Sequence, residues 1–308
     1  MVRENGTAHL CLSLAPNNLG EQSAIITGAI IILFAFFNIL SNSLLIFALY
    51  KSKQLRTFSN KFILIMTVSD LCLGVFTQPV TAAIWISSRQ RNCLELKSVE
   101  FMVIFLGYIS ALMILLISVD RYLHVTKPAR YRMLVNAFRM KLSVVLSAVL
   151  AFCFALIFVI NTSFYQHTFL TIVNNFMMLC FAILNTKTLK SLERHEKNTV
   201  LRLKQDKSGQ EASCHHKTAQ LTAIKTIRWV MAAFFIFYLP YNIVSIVWTY
   251  FRFQLKVEPG MTLNALYQWT YLILFSGTFI NSWIIIRGNT KCRRVILSIL
   301  QNKSVGFE

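Results

Sequence analysis

"FMVIFLGYISALMILLISVDRYLHV", residues 101–125, decides how this chain must be read. From Phe101 to Val119 it holds 19 residues without a charge, and then an acid and a base arrive together as Asp120 and Arg121. A hydrocarbon core of about 30 Å takes about 20 helical residues to cross. The run therefore reads as one membrane span that ends on a charged triplet, Asp120-Arg121-Tyr122.

The composition extends that reading to the whole molecule. Of 308 residues, 56% are hydrophobic and 14% charged. Mean hydropathy is +0.56. A water-soluble domain of this size needs more charge to cover its surface. Twenty-five Phe against five Pro and ten Gly also exclude a disordered or collagen-like chain. Further uncharged runs are Gln22–Tyr50, Phe62–Ser88 (interrupted only by Asp70), Leu142–Thr186, Trp229–Phe251 and Pro259–Ile286. Leu142–Thr186 spans 45 residues and breaks at "NTSFYQHT", 161–168, so it reads as a helical hairpin.

The fold expected is an all-α membrane protein, a seven-transmembrane helix bundle forming one domain over 1–308. Its helices fall near 22–50, 58–87, 97–124, 138–160, 166–190, 219–251 and 260–286, after an extracellular N-terminus at 1–21. In "RGNTKCRRVILSILQ", Val295, Ile296, Ile299 and Leu300 share one face with basic residues opposite. This predicts a short amphipathic eighth helix at 290–301 on the inner leaflet.

Basic residues orient the bundle. With the N-terminus outside, 25 of the 31 Lys and Arg fall on the cytoplasmic side, C-terminus included, and six outside. Topology and contact with anionic lipids explain the net charge of +19, and nucleic acid is not needed as a partner. The first 20 residues lack the pattern of a cleaved signal peptide, so the first helix directs its own insertion. The protein is expected to be a multi-pass protein of the plasma membrane.

Cys72, Cys153 and Cys180 lie within helices, and Cys214 and Cys292 face the cytosol. Only Cys11 and Cys93 lie outside, where a disulfide can form. Cys292 beside the membrane is a candidate for palmitoylation. Asn5 and Asn161 head external N-glycosylation sequons. Residues 187–204 mix acids and bases at helical spacing, so helix five is expected to continue into the cytosol before a flexible "DKSGQEAS" linker.

Ionisable groups inside a membrane are costly and point to function. Asp70, in "LIMTVSDLCLGVFTQP", lies deep in the second helix. Asn42, Ser110 and Asn281 are also near mid-helix, where they must find partners. Asn42 reads as glue between helices. Asp70, Ser110 and Asn281 read either as similar glue or as an oxygen-lined pocket for Na⁺ or a proton.

In this order, Asn42, Asp70, Asp120-Arg121-Tyr122, Phe234 and Pro240 in "FFIFYLPY", and Asn281 opening "NSWII" resemble the rhodopsin-like (class A) G-protein-coupled receptors. The resemblance covers all seven helices. It implies a sodium pocket at Asp70, Ser110 and Asn281. It also implies that Asp120 holds Arg121 at rest, and that helix six pivots at Phe234, Tyr238 and Pro240 to free Arg121 for a heterotrimeric G protein. Proline removes a helix hydrogen bond and supplies the kink that such a motion uses.

Several positions depart from the family pattern. Tyr238 replaces its usual Trp, helix seven lacks its Pro and Tyr, and Gln220 stands where some members place an acid that binds the Arg. Its usual helix-three Cys is replaced by Leu96, and the second outer loop has no Cys. The short loop and missing bridge resemble the melanocortin, lipid and adenosine receptor group, although helices four and seven do not; a divergent orphan receptor fits the same departures.

No cofactor is expected beyond a bound Na⁺. By that resemblance, Phe275 excludes the retinal-bearing Lys of opsins, and Val103 replaces the acid of amine receptors. The ligand pocket is expected among Val103, Ile104, Gly107, Tyr238, Tyr241, Asn242, Ser245, Tyr267 and Tyr271. These side chains suit an uncharged small molecule, a lipid-like ligand or a peptide side chain. Glu100 reads as a solvated acid at the rim that could meet a cationic ligand. The expected function is a cell-surface receptor coupling an extracellular ligand to a G protein. The alternatives are a receptor-like protein with weak or lost coupling, and a proton- or ion-coupled transporter. A transporter predicts inverted repeats, broken helices and several buried charges, which the sequence lacks. HExxH and GxSxG are absent, and an enzyme is not expected.

Overall fold

The computed structural model describes residues 21–51, 58–86, 93–160, 164–205, 229, 232–233, 235–257 and 259–300. Among these, α1 is Glu21–Lys51. Helix α2 covers 58–86 as Phe58–Cys72, a π turn at Leu73–Thr77, and Gln78–Ile86. Helix α3 is Cys93–Thr126, α4 is Ala137–Ile160 and α5 is Phe164–Gln205. Helix α6 is Phe235–Thr249, followed by a π turn at Tyr250–Gln254. Helix α7 is Met261–Gly288 and α8 is Thr290–Leu300. Among the described residues the fold is a bundle of seven long helices with a short eighth after them.

Helices α1 to α4 and α7 are long and apolar enough, among the described residues, to cross a membrane. Their surfaces explain why. In α4 the buried side chains are Met140, Ser147, Ala151 and Ala155, whereas Leu142, Val145, Leu146, Val149 and Phe152 are exposed. A soluble helix buries its large apolar residues. Here small ones at i, i+4 and i+8 let α4 approach α3 closely, and the large ones meet lipid.

Helix α3 is the central post, packed on α2, α4 and α5. Helix α1 packs on α2, α7 and α8. An inner and middle core gathers Leu45, Met66, Met113, Ile114, Phe181 and Val295. A smaller outer core gathers Ile31, Trp85, Val99, Tyr271 and Phe275.

Helix α5 runs unbroken to Gln205, the extension expected over 187–204. Two local features differ from the sequence reading. Helix α3 starts at Cys93, four residues earlier than 97, with Glu95 in its first turn, where an acid favours the positive helix end. Helix α2 carries the π turn directly before Gln78-Pro79. Proline cannot donate a backbone hydrogen bond and its ring crowds the preceding turn, and a wider π turn relieves both.

Candidate functional site

The polar side chains of the bundle form three levels. At one end of the bundle, α3 closes on Asp120 and Arg121, and the chain re-enters as a short turn through Tyr131. Asp120 is buried, and its Oδ1 accepts a hydrogen bond from the Tyr131 hydroxyl at 2.7 Å. The Tyr131 ring stands edge-on to His124, 4.8 Å between centroids. Burial raises the Tyr131 hydroxyl above its usual pKa, and the bond to Asp120 acts the same way, so Tyr131 stays a donor. Arg121 lies in the field of Asp120 and Tyr131, and its buried Nε makes no hydrogen bond within the protein. The acid of the triplet thus has a loop tyrosine as a partner, which the sequence reading did not foresee.

In the middle, Asp70, Ser110 and Asn281 are all buried. Both carboxylate oxygens of Asp70 and Oδ1 of Asn281 have no hydrogen-bond partner among the described residues, and the Ser110 hydroxyl lies close enough to act on Asp70. Buried carboxylate and hydroxyl oxygens brought together in this way are the donor chemistry of a hard cation.

Beside it runs a polar seam that sequence reasoning resolved only in part. Asn42 was read as glue, and Ser282 donates to its Oδ1 at 2.5 Å, tying α7 to α1. Asn42 in turn bonds the side-chain oxygen of Asn38 and, at 2.9 Å, its carbonyl. Asn38 donates to the Asp70 carbonyl at 2.8 Å and to Gln78 Oε1 at 3.4 Å. Ser69 adds a bond from α2 to the Leu106 carbonyl of α3 at 2.7 Å. Asn38, Gln78 and Ser282 were missed. The signal was available, since each is a polar residue inside an uncharged run.

In the outer half, Val103, Ile104, Gly107, Tyr238, Tyr241, Asn242, Ser245 and Tyr271 line a cavity of about 130 Å³. Tyr108, Asn174 and Phe275 complete its wall. Tyr267 stands just outward, its hydroxyl 3.3 Å from that of Tyr241. A larger hollow of about 440 Å³ lies beside Ile172, Asn175, Ile246 and Tyr250, all of them exposed.

Residues 41–169 of this helical frame match the family described as 7 transmembrane receptor (rhodopsin family). That stretch is similar to the rhodopsin-like receptors. The chain is 32% identical over 147 residues to the histamine H2 receptor of Canis lupus familiaris, covering 46% of this chain and 38% of that receptor. It is 30% identical over 129 residues to melanopsin-B of Xenopus laevis, covering 41% of this chain and 23% of the relative. It is 35% identical over 108 residues to octopamine receptor 1 of Lymnaea stagnalis, covering 33% and 16%. The matched stretches therefore span well under half the length of these relatives.

Two expectations need correction. Glu100 is not a solvated rim acid, because it is only 6% exposed. Its position on α3 falls on the same inward face as Leu96, Val99 and Val103, and the outer core closes over it. Cys292, the palmitoylation candidate, is 0% exposed and packs in the inner core with Val295 and Ile296. The apolar face of α8 turns toward α1, so the thiol points into the bundle. Burial also pushes the Cys292 thiol up to about 11, away from the reactive thiolate. Asn5, Cys11, Asn161 and Phe234 lie outside the described residues, and with Cys11 the Cys11–Cys93 pairing.

Proposed function

We propose that this protein is a cell-surface receptor that couples an extracellular ligand, held in the outer cavity, to a heterotrimeric G protein at the inner rim. The observation that carries the reading is Arg121: a half-buried guanidinium at the inner end of α3, its Nε buried and without a hydrogen bond, beside an acid that Tyr131 holds. A cation so placed can exchange its internal partner for an incoming one. The family is one of receptors rather than enzymes, which agrees. Relatives named for histamine, octopamine and acetylcholine favour a small-molecule ligand for a cavity of this size over a lipid-like or peptide one.

The uneven distribution of Lys and Arg supports an extracellular N-terminus and a plasma-membrane receptor. Asp70, Ser110 and Asn281 would hold a sodium ion. Bound there, it supplies the counter-charge that a buried carboxylate requires and favours the packing in which it fits. Helix α6 would pivot near Tyr238 and Pro240.

The test is ligand-independent nucleotide exchange on G proteins in cell membranes, for the native chain, Arg121→Ala and Asp70→Asn. Arg121→Ala should abolish the signal at equal surface expression, and Asp70→Asn should abolish its dependence on sodium. If the native chain and Arg121→Ala are indistinguishable across G-protein classes, the coupling role fails and an uncoupled receptor-like protein remains.

A further inference from the structure

The larger hollow, about 440 Å³, lies in the seam between α5 and α6, and the receptor reading makes no use of it. Its walls run polar, apolar, polar. Thr168 and Tyr250 stand toward the outer ends of the two helices, Ile172, Ile246 and Val247 in the middle, and Asn175 deepest. Thr168 and Asn175 lie seven residues apart on α5, about 10 Å along its axis. Asn175 is the residue out of place. It is exposed, yet it comes 11 residues after Phe164 and 12 before Lys187, about 16 Å from the helix start and about 18 Å from its first Lys. That depth is near the middle of a bilayer, where an amide without a polar partner is costly. Its Nδ2 donates to the Thr171 carbonyl at 2.8 Å, which takes one N–H of the amide and leaves the second N–H and the carbonyl oxygen to a neighbour. Thr171 also lines the enclosed cavity, so the hollow and the cavity share a wall.

We propose that this seam is a binding site for a rigid, uncharged amphiphile with an oxygen at each end, of the steroid class, taken up from the bilayer. The chemistry of the walls selects that occupant. A phospholipid chain would cover Ile172 and Ile246 but leave the Asn175 amide facing hydrocarbon, because the polar head of the lipid stays at the interface. No Lys, Arg, Asp or Glu lines the hollow among the described residues, so a charged molecule would find no counter-charge there. The volume is about three times that of an engineered cavity of about 150 Å³ that holds one benzene, which gives room for a nucleus of three or four fused rings. Such a nucleus is long enough to reach from Asn175 to Thr168 and Tyr250. A carbonyl at its deep end accepts the second N–H of Asn175, and an oxygen at its outer end meets the Tyr250 hydroxyl, on a ring suited to the membrane interface. A rigid body engages both ends with little loss of conformational freedom.

This site goes beyond the receptor reading and is tested with neither a G protein nor a cavity ligand, so a failure of coupling cannot imitate a failure of binding. The full chain in phosphatidylcholine nanodiscs is titrated with tritiated progesterone, which carries a ketone at each end, and empty nanodiscs give the partition background. Saturable binding above that background is expected. Asn175→Leu should weaken it by about 5- to 10-fold, the loss of one hydrogen bond made out of water. Ile246→Trp, which fills the hollow, should abolish it. Both side chains are exposed in the bundle, so both variants should melt within about 2 °C of the native chain, which shows that they are folded. Cholesterol, with a single polar end, should shift the apparent progesterone affinity by less than about 2-fold at equal mole fraction. The proposal is overturned by no saturable binding up to about 100 μM, by equal affinity in the native chain and both variants, or by cholesterol competing as well as progesterone itself. A dimer in nanodiscs that Asn175→Leu converts to monomer, with progesterone binding unchanged, would assign the amide to a contact between two copies and refute the site.

Discussion

Adding one methyl group at Gly74 sets two opposed effects against each other. A Cβ built there lies 2.8 Å from Asn38 Nδ2, 3.1 Å from its Cγ and 3.2 Å from its Cβ. Alanine improves helix propensity by at most about 1 kcal/mol over glycine, and less within a π turn. Against this, the fully buried Asn38 must move off the Asp70 carbonyl and Gln78 Oε1. A hydrogen bond between membrane helices is worth about 0.6 kcal/mol on average and up to about 1.7 kcal/mol. Each buried acceptor left without a partner costs about 1–3 kcal/mol. The polar loss wins, and Gly74→Ala should destabilise the bundle by about 1–2 kcal/mol. At about 2–4 °C per kcal/mol, that lowers the melting temperature by roughly 2–8 °C. Thermal unfolding of the purified chain, followed by tryptophan fluorescence, measures it. In an Asn38→Ala background the obstruction is gone, so the same methyl should be neutral or slightly stabilising, with a coupling of at least about 1 kcal/mol. A higher melting temperature for Gly74→Ala alone, or strictly additive variants, would refute the packing of Asn38 against Gly74.

Two further outcomes follow from the cytosolic side. Tyr131→Phe removes the 2.7 Å bond to Asp120; at about 1 kcal/mol for a half-exposed bond to a carboxylate, ligand-independent nucleotide exchange should rise about 5-fold, and unchanged or lower exchange would mean that the bond does not belong to the resting state. Cys292 has its thiol raised from 9.0 to about 11, so the folded state holds that proton more tightly; the associated stability is complete below about pH 9 and is lost as pH rises through about 11. Alkylation of Cys292 at pH 8, read by peptide mass spectrometry, should be roughly 100-fold slower in the folded than in the unfolded chain, and equal rates would place the thiol at the surface.

What the sequence determined by itself was everything set by local periodicity and by the cost of charge in hydrocarbon. Uncharged runs of spanning length and the break near residue 161 suffice for seven helices, because a membrane admits few other arrangements; the excess of Lys and Arg on alternate connections supplies the expected orientation. Asp70, Ser110, Asn281 and Arg121 were legible for the same reason: polar groups among lipid-spanning residues are rare and stand out. The cavity face of α6, Tyr238, Tyr241, Asn242 and Ser245, followed from spacing at 3.6 residues per turn. Only the tertiary structure decided what depends on which face meets which neighbour. Glu100 is buried because α3 turns that face toward the outer core. Cys292 is hidden because α8 folds its apolar side onto α1 rather than onto lipid. Asp120 is held by Tyr131, eleven residues on, and Asn38 by groups of α2, more than thirty residues away. A single chain records the period of each helix but not the rotation of one helix against the next, and these contacts are set by that rotation.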